Sequence, residues 1–345
     1  LYQNGERMAM LYLAREYFES EEIKHYIEKI DAALQRAQPP RRSVAASGQA
    51  PPVIIAASSP MRKALSLAEH VAESEMTVLL TGATGAGKDL LARYIHYCSG
   101  RTGEFVSINA AAIPDPMVES ELFGSARGAF TGSRDRRGLI EQAENGTLYL
   151  NEISDASPEL QAKLLEVLET RQVRRLGENK TRTINFRLIA ASNQDLQQRM
   201  RDNQFRPDLY HRLNEIPIHL APLEERAGDI PALVEYFLTS NGLAPTDGDS
   251  VKVERLGGIL SARRWPGNVR QLKAEVQRLW VTSPGDIGRM IAQAEHEGDG
   301  AEGAALLEAL ERTGWNRREA ARELGVSEAT VRRWITKHHL AEQIS

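Results

Sequence analysis

The sequence predicts an α/β protein built on a parallel, three-layer sheet, followed by a small helical domain and an all-helical tail. Three observations support this prediction. Short apolar runs alternate with helical stretches from Val53 onward, which is typical of strands that are joined by crossover helices. The strand-like runs stop after Pro231. A basic segment with helical spacing of its apolar residues then closes the chain.

Four apolar runs are predicted as strands because they are rich in β-branched and aliphatic residues. They are residues 76–82, 105–110, 146–152 and 186–193. Helices are predicted between them, most clearly over 87–98 and 158–170. Helices that separate successive strands favour a parallel sheet with a helical layer on each face.

Changes in composition divide the chain into six segments. They are a helical segment (1–37), a Pro/Ser/Ala-rich linker (38–52), the α/β domain (53–228), the helical domain (229–281), a Gly- and acid-rich linker (282–303) and the basic tail (304–345). The helical spacing in the first segment fits surface helices that pack on an absent element, or a helix used in dimerisation or signalling. Because the chain starts at Leu1 and has no signal-peptide pattern, we expect a fragment with something removed upstream.

Composition excludes several classes of protein. A length of 345 residues, with 41% hydrophobic and 26% charged residues, is typical of a globular protein with two or three domains. The single cysteine, Cys98, excludes an intramolecular disulfide, and no apolar run is long enough to span a bilayer. We therefore expect a cytoplasmic protein without a membrane partner. The net charge of −4 gives no sign of nucleic-acid binding overall, but seven Lys/Arg against three Asp/Glu make residues 312–340 locally basic.

A glycine-rich loop follows the first predicted strand. Gly82 and the pair Gly87-Lys88 have the G-x-x-x-x-G-K spacing of a phosphate-binding loop, between a strand and a helix. Backbone N–H groups, the helix N-terminus and the lysine charge all favour phosphate. The alternative is a glycine turn with an incidental lysine. The candidate ATP-binding residues are Gly82, Ala83, Thr84, Gly85, Ala86, Gly87, Lys88, Asp89 and Leu90.

Two positions depart from the usual pattern of such a loop. Asp89 stands where Ser or Thr normally ligates Mg²⁺. The strand at 146–152 ends in Asn151-Glu152, where an Asp that holds Mg²⁺ is expected before a Glu that polarises the attacking water. The candidate metal ligands are therefore Asn151, Glu152 and Asp89. A carboxamide keeps one oxygen but loses a charge, so we expect nucleotide binding with turnover reduced about tenfold to hundredfold.

The basic tail has the pattern of a helix-turn-helix. Ala320, Ala321 and Leu324 form one apolar face, Gly325 ends the helix and Ser327 caps the next. The second helix of such a motif lies in the DNA major groove. A three-helix interaction bundle with an incidental basic face is the alternative. The candidate DNA-binding residues are Ser327, Thr330, Arg332, Arg333 and Lys337.

The motifs along the chain are, in order, the phosphate loop, ESELFG, RGAFTGS, GTLYLNEI, RLIAASN, FRPDLYHRLN, WPGNVRQL and the basic tail. Their order resembles that of the sigma-54-dependent transcriptional activators. This is the bacterial enhancer-binding branch of the AAA+ ATPases. The resemblance covers about residues 53–340. It implies an AAA+ α/β domain, a helical lid and a Fis-like DNA-binding tail. The sequence departs from the family at Asn151, at Ser133 and in the arginine-poor segment APLEERAGDI.

The resemblance also implies residue roles. Asn109 would relay the nucleotide state to Glu152, and Asn193 would read the γ-phosphate. Arg206 and Arg212 would enter the site of the neighbouring subunit, and Arg270 would contact nucleotide from the lid. Taken alone, each of these arginines would more often form a surface ion pair. A protruding loop would contact sigma-54 through Gly128, Ala129, Phe130, Thr131, Gly132 and Ser133, although its Phe could instead fold back on the domain.

The resemblance therefore predicts an ATPase that needs ATP and Mg²⁺, assembles as a homo-oligomeric ring, usually of six members, and binds sigma-54 RNA polymerase and double-stranded enhancer DNA. Two other functions remain open. One is a DNA-bound regulator that binds ATP but hydrolyses it poorly because of Asn151. The other is a repressor or architectural protein that uses the ring only for assembly.

Overall fold

The computed structural model describes residues 51–113, 117–129, 135–242 and 249–337, with positions 297–305 and 337 described by their backbone alone. The predictions made for residues 1–37, for 38–50 of the first linker, for Phe130, Thr131, Gly132 and Ser133, for the Lys337 side chain and for 338–345 lie outside this part. Within it, no helix is both long and apolar enough to cross a membrane.

The core of the α/β domain is a parallel sheet. Among the described residues, five strands form it in the order β2-β5-β8-β1-β9. In chain order the strands of the molecule are β1 (Val78–Thr81), β2 (Phe105–Asn109), β3 (Gly124–Ser125), β4 (Arg136–Arg137), β5 (Thr147–Asn151), β6 (Gln172–Arg174), β7 (Thr181–Thr183), β8 (Arg187–Ser192) and β9 (Ile216–His219). The predicted α/β fold class and its parallel sheet are confirmed.

Helices cover both faces of the sheet. They are α1 (Ser59–Ala72), α2 (Lys88–Ser99), α3 (Val118–Phe123), α4 (Leu139–Gln142), α5 (Pro158–Thr170), α6 (Leu196–Arg201) and α7 (Pro207–Leu213). Because successive strand residues point to opposite faces, Leu188 packs into the cluster that contains α5 and Ile189 into the cluster that contains α1 and α2. The central strand β8 is buried along its whole length, as expected for a strand covered on both faces.

Two short antiparallel ribbons project from this domain. β3 pairs with β4, and β6 pairs with β7. The first ribbon frames residues 126–135, so the candidate sigma-54 loop starts and ends on it. Leu176, at the turn of the second ribbon, accepts from Ala126 N–H and donates to the Gly124 carbonyl. The base of the candidate loop is therefore tied to the β6–β7 ribbon.

The helical domain follows a 3₁₀ segment, Leu223–Asp229. It contains α8 (Ile230–Ser240), α9 (Ser250–Ser261), α10 (Asn268–Thr282) and the first turns of α11 (Ile287–Arg312). Ile287, Met290, Ile291 and Ala294 of α11 are buried in the same apolar cluster as the other three helices. Residues 282–303, predicted as a linker, thus lie mostly in one helix, because its apolar residues recur at helical spacing and complete the helical domain.

The tail forms a small helical bundle. The end of α11 packs with α12 (Arg317–Leu324) and α13 (Glu328–Lys337) around Leu306, Ala309 and Leu310. Gly325 adopts φ 67° at the C-cap of α12, where the left-handed region favours glycine. Ser327 Oγ accepts from Thr330 N–H at 3.1 Å and so caps α13. The predicted helix end and cap of the helix-turn-helix are both confirmed.

Candidate ATP site and DNA-binding segment

The phosphate loop connects β1 to α2. Gly82, Gly85 and Gly87 have φ values of 141°, 76° and 109°, a region that L-residues with a Cβ rarely adopt. Gly87 is the N-cap of α2 and provides no side-chain cap. The first turn of α2 therefore presents its N–H groups to an incoming group, which makes this helix end suitable for phosphate.

Lys88 is the first residue of α2 and is only 8% exposed. Its Nζ donates to the Gly82 carbonyl at 2.6 Å and to the Ala83 carbonyl at 3.1 Å. Burial lowers the pKa of Lys88 below its ordinary value, whereas the Glu152 carboxylate raises it and Arg270 lowers it. The charges of Glu152 and Arg270 thus both act on the Lys88 side chain.

Several predicted residues meet at one edge of the sheet, because parallel strands end on the same side. Asn193 follows β8, and its Nδ2 donates to Thr84 Oγ1 of the phosphate loop at 3.2 Å. Its Oδ1 accepts from Ser154 Oγ at 3.4 Å. Asn109 and Asn151 end β2 and β5 as directly paired residues. The Asn109 Oδ1 caps the turn that follows, accepting from Ala111 N–H.

Glu152 directly follows β5 and adopts φ 53°, ψ 43°. This left-handed conformation is uncommon for a residue with a side chain and is found preferentially at functional sites. It turns the chain between β5 and the 3₁₀ segment Ile153–Asp155. Glu152 therefore follows the C-terminal end of β5, at the same edge of the sheet from which the phosphate loop leaves β1. A general base for an attacking water is expected at this edge.

The side chains around this edge provide few metal ligands. Asp89 forms an exposed ion pair with Arg93 at 3.0 Å. The Asn151 Oδ1 accepts from the Tyr149 hydroxyl at 3.3 Å. The part of the chain that the structure describes contains no group of three or more His, Cys, Asp or Glu suited to a metal ion. Glu152 and the Asn151 oxygen therefore fit a Mg²⁺ ion that is carried chiefly by phosphate oxygens and water, as is common for this cation.

Arg206 and Arg212 lie at the two ends of α7, and their described contacts are with residues outside the phosphate loop. Arg206 is the N-cap of α7 and pairs with Asp208 through two contacts of 3.1 and 2.7 Å. Arg212 donates to the Leu168 carbonyl of α5. Neither arginine forms a described hydrogen bond with residues 82–90. Arg212 lines an open cavity of about 470 Å³, which is bounded by Leu165, Glu169, Asp208, His211 and Glu215.

The helical domain contacts the phosphate loop directly. A Cβ at Gly85 would meet the Arg270 Cβ at 3.1 Å and would overlap the Gly267 carbonyl. Leu90 lies at the surface of α2, 40% exposed. Sequence analysis missed two side chains at this contact, Asn268 and Arg226. Asn268 belongs to the quoted WPGNVRQL and Arg226 to APLEERAGDI, but no spacing rule marks either of them as a partner of the loop.

Only the start of the candidate sigma-54 loop is described. Gly128 has φ 88° and open space where a Cβ would be. Ala129 packs so closely on Gly177, at the turn of the β6–β7 ribbon, that a Cβ at Gly177 would overlap it. The chain therefore reverses at Gly128 beside this ribbon before it continues into Phe130 and Thr131.

The second helix of the tail presents a polar face. Val331 and Ile335 of α13 are buried, and Trp334 packs partly against them. Arg332 and Arg333 are exposed, and Arg332 pairs with Glu328 one turn earlier at 2.9 Å. Thr330 contacts Ser327 through their hydroxyl groups at 2.8 Å. Arg332 and Arg333 thus remain outside the apolar core of the bundle, as DNA binding by a recognition helix requires.

Comparisons with protein families match three consecutive segments. A family model described as a Sigma-54 interaction domain matches residues 54–219, an AAA+ ATPase lid domain matches 224–296, and a bacterial regulatory protein of the Fis family matches 301–338. The three segments coincide with the α/β domain, the helical domain and the helical tail of the structure.

Related proteins are transcriptional regulators. The chain is 36% identical over 323 residues to the transcriptional regulatory protein ZraR of Salmonella typhimurium, covering 88% of this chain and 73% of the relative. It is 40% identical to ZraR of Klebsiella oxytoca, covering 79% and 66%. It is 47% identical to the formate hydrogenlyase transcriptional activator of Salmonella typhimurium, covering 68% and 34%. The chain thus spans from a third to three quarters of the length of these relatives.

Similar solved structures support both the fold and the family. NtrX from Brucella abortus, solved in complex with ATP, aligns with a TM-score of 0.60 at 28% identity over 96% of this chain and 75% of NtrX. A RuvB variant of Thermotoga maritima aligns with a TM-score of 0.50 at 14% identity over 82% and 89%, a likeness of fold alone. With its AAA+ ATPase domain, lid and Fis-type DNA-binding tail, the chain belongs to the sigma-54-dependent transcriptional regulators.

Proposed function

We propose that this chain is the motor and DNA-binding part of a transcriptional activator, which hydrolyses ATP to remodel a promoter complex that contains sigma-54. The supporting observation is the meeting of Lys88, Glu152 and Asn193 at one strand edge. The same chain carries a basic helix-turn-helix. ATP-driven work and DNA targeting are thus combined in one polypeptide.

In the proposed reaction, the phosphate loop and the N-terminus of α2 bind the phosphates, and Lys88 exchanges its two carbonyl partners for phosphate oxygens. Glu152 accepts a proton from the water that attacks the γ-phosphorus. The bond between the β,γ-bridging oxygen and the γ-phosphorus breaks, giving ADP and phosphate. Asn151 and Glu152 would hold a Mg²⁺ ion that is bound with the nucleotide, and this ion would supply neutralisation of the phosphate charge.

Arg206 and Arg212 support an oligomeric ring. Both are exposed on α7, and neither bonds to the phosphate loop of its own chain in the described structure. A guanidinium is permanently charged and suits phosphate oxygens. We propose that these arginines complete the site of a neighbouring copy, which makes the isolated chain a poor ATPase.

The loop from Gly128 to Ser133 is proposed to transmit the motion to sigma-54. The described residues at and before its start contact the β6–β7 ribbon, Ala126 at Leu176 and Ala129 at Gly177. Ser125 and Arg136, on either side of the loop in the chain, pair in the β3–β4 ribbon. We propose that a conformational change at the nucleotide site reaches the base of the loop through α5, which lies in the chain between Glu152 and the β6–β7 ribbon. Phe130 and Thr131 are the proposed contacts, because an apolar ring and a hydroxyl together suit a protein surface.

Replacing Thr131 with Ala is expected to lower sigma-54-dependent transcription about tenfold or more, since a central contact at an interface is lost. ATP hydrolysis should change less than about twofold, because the loop lies outside the phosphate site. The measurement is promoter opening on a template with an upstream binding site, in parallel with phosphate release. Ser133→Ala is the matched control, since it removes a hydroxyl at the edge of the same loop.

A normal transcription signal from Thr131→Ala would contradict the proposed contact. It would favour a repressor or architectural protein, which has no need of that hydroxyl. Failure of the unaltered, ATP-loaded chain to bind sigma-54 would contradict the proposed function as a whole.

A second function is favoured by Asn151, which stands at the position of the expected metal-binding carboxylate and accepts from Tyr149. The chain would then bind ATP and DNA but turn ATP over slowly. Replacing Asn151 with Asp is expected to raise the hydrolysis rate about tenfold to hundredfold, because a carboxylate next to a dication binds it more strongly.

The measurement for this second function is phosphate release against protein concentration, with and without Mg²⁺. Asp155→Asn is the control, because Asp155 accepts from Gln194 and Arg199 and is not among the candidate metal ligands. A cooperative rise in the unaltered chain, left unchanged by Asn151→Asp, would show that the carboxamide suffices.

A further inference from the structure

The phosphate loop has a hydrogen-bond partner on every carbonyl from Gly82 to Gly87. Lys88 Nζ donates to the Gly82 and Ala83 carbonyls, and the Leu91 N–H donates to the Gly87 carbonyl. The remaining carbonyls belong to the loop residues between them, and all of their partners come from the 3₁₀ segment Leu223–Asp229 or from α10. Asn268 Nδ2 donates to the Thr84 carbonyl at 3.0 Å, the Val269 N–H donates to the Gly85 carbonyl at 3.1 Å, and Arg226 Nη2 donates to the Ala86 carbonyl at 2.5 Å.

These partners are rigidly held. Asn268 is 2% exposed, adopts φ 53° and accepts from the Leu223 N–H through its Oδ1 at 2.7 Å. The carboxamide nitrogen therefore bonds to the phosphate loop, and the carboxamide oxygen bonds to the start of the 3₁₀ segment Leu223–Asp229. Since Asn is among the few residues that tolerate the left-handed region, this position suits its backbone as well as its side chain.

Arg226 is 4% exposed and lies in a buried charge network. Its guanidinium lies 3.6 Å from the Asp229 carboxylate. Asp229 accepts from the N–H and the hydroxyl of Ser58, the N-cap of α1. Burial lowers the pKa of Arg226 and Asp229 raises it. The arginine thus connects the Ala86 carbonyl to both the helical domain and α1.

The orientation of these carbonyls fixes the orientation of the loop's N–H groups. In a trans peptide the C=O and the following N–H point in opposite directions, and the described chain has no cis peptide. Asn268 therefore directs the Gly85 N–H, and Arg226 the Gly87 N–H, away from the helical domain. The intervening Ala86 N–H closes a turn onto the Ala83 carbonyl at 3.2 Å.

We infer that Asn268 and Arg226 are positioning residues for nucleotide phosphates. By holding the Thr84 and Ala86 carbonyls, they set the Gly85 and Gly87 N–H groups toward the phosphates. The position of the helical domain and the shape of the phosphate pocket are then coupled, so each stabilises the other. The inference rests on the proposed nucleotide site but adds a role for two residues outside it.

The test compares two substitutions of Asn268. Asn268→Asp keeps the acceptor for the Leu223 N–H but replaces the donor by a negative charge that faces the Thr84 carbonyl. Asn268→Gly removes the side chain and keeps the backbone conformation. We expect the Kd for ATP and for ADP to rise about tenfold in Asn268→Gly and more in Asn268→Asp. The KM for ATP should rise by the same factor, while kcat at saturating ATP falls less than about threefold. A merely structural defect would instead lower the apparent kcat, because a smaller fraction of the protein would be folded and active.

Arg263→Gln is the matched control. Arg263 pairs with Glu275 at 2.9 Å and donates to the Ala294 carbonyl, so it holds a carbonyl inside the helical domain without reaching the loop. The control should lower the thermal stability and leave both Kd values within about twofold. Equal weakening by Arg263→Gln, or unchanged Kd values in a folded Asn268→Asp, would overturn the inference.

Amide hydrogen exchange provides a readout that does not depend on nucleotide. In the unaltered chain without nucleotide, the Val269 N–H should exchange slowly, and Asn268→Gly should speed its exchange at least about tenfold. If the unaltered chain binds no ATP but shows this protection, the proposed function fails and the contact with the loop stands. Fast exchange of Val269 in the unaltered chain would overturn the inference, even if ATP binds.

Discussion

Replacing Glu152 with Gln is expected to lower the steady-state rate of ATP hydrolysis by about 10²–10⁴-fold, the contribution of a positioned general base. Gln has the same shape and tolerates the same backbone, so the left-handed turn at residue 152 should persist. ATP binding should weaken less than about threefold, because the phosphate loop and Lys88 are intact. Single-turnover hydrolysis and equilibrium binding of ATP measure the two effects separately.

Asp155→Asn is the control for this substitution. Asp155 lies three residues further along, where it accepts from Gln194 and Arg199 and faces no part of the phosphate loop in the described contacts. Its loss should cost some stability and little activity. A Glu152→Gln chain that hydrolyses ATP at more than about a tenth of the original rate would contradict its assignment as the general base.

Replacing Arg212 with Ala is expected to lower kcat about 10³-fold or more, the effect of removing an arginine that stabilises charge on a transferring phosphoryl group. Arg206→Ala should act similarly. Neither should alter the affinity of an isolated chain for ATP, since neither side chain reaches its own phosphate loop in the described structure. The measurement is phosphate release at protein concentrations that saturate assembly.

Mixing provides the sharper version of this experiment. A Lys88→Ala chain cannot bind ATP well but still presents Arg206 and Arg212, so mixing it with Arg212→Ala should recover part of the lost activity. Arg201→Ala is the control, since Arg201 is an exposed arginine on the preceding helix that bonds only to Gln198 among the described residues. Absence of any recovery on mixing would contradict a shared site, and full activity of Arg212→Ala alone would exclude a role for this arginine.

Apolar patterning predicted four of the five strands described in the parallel sheet. The signal is strongest for β1, β5 and β8, which are buried almost throughout and read as dense hydrophobic runs. β8 is buried throughout and was predicted within one residue at each end. The edge strand β9, Ile216–His219, was missed. In this strand Ile218 is buried while Pro217 and His219 are exposed, so it carries too little apolar signal to be distinguished from a loop.

The helix α11 was missed for the opposite reason. Gly288, Gly298, Gly300 and Gly303 lower the local helix propensity, and composition therefore indicated a linker. Packing at both ends overrides propensity, since Ile291 is buried in the helical domain and Leu306 in the tail. The spacing of Ile287, Met290, Ile291 and Ala294 was visible in the sequence and is typical of a helix.

Within the site, motif order indicated which residues lie at the strand edge but not how the helical domain holds them. Asn193 was predicted and does contact Thr84. Asn268 contacts the Thr84 carbonyl across a separation of 184 residues, and such a contact exists only after folding. The roles of Asn109, Arg206, Arg212 and Arg270 stay predictions that rest on family resemblance.

The continuity of α11 determines how this protein can be divided into fragments. The helix is 26 residues long, about 39 Å at the usual rise per residue. A fragment that ends before Ile287 would expose the apolar cluster of the ATPase lid to solvent. A fragment that begins after Leu306 would lack part of the helix that packs against α12 and α13. The last helix of the ATPase lid is also the first helix of the Fis-type tail.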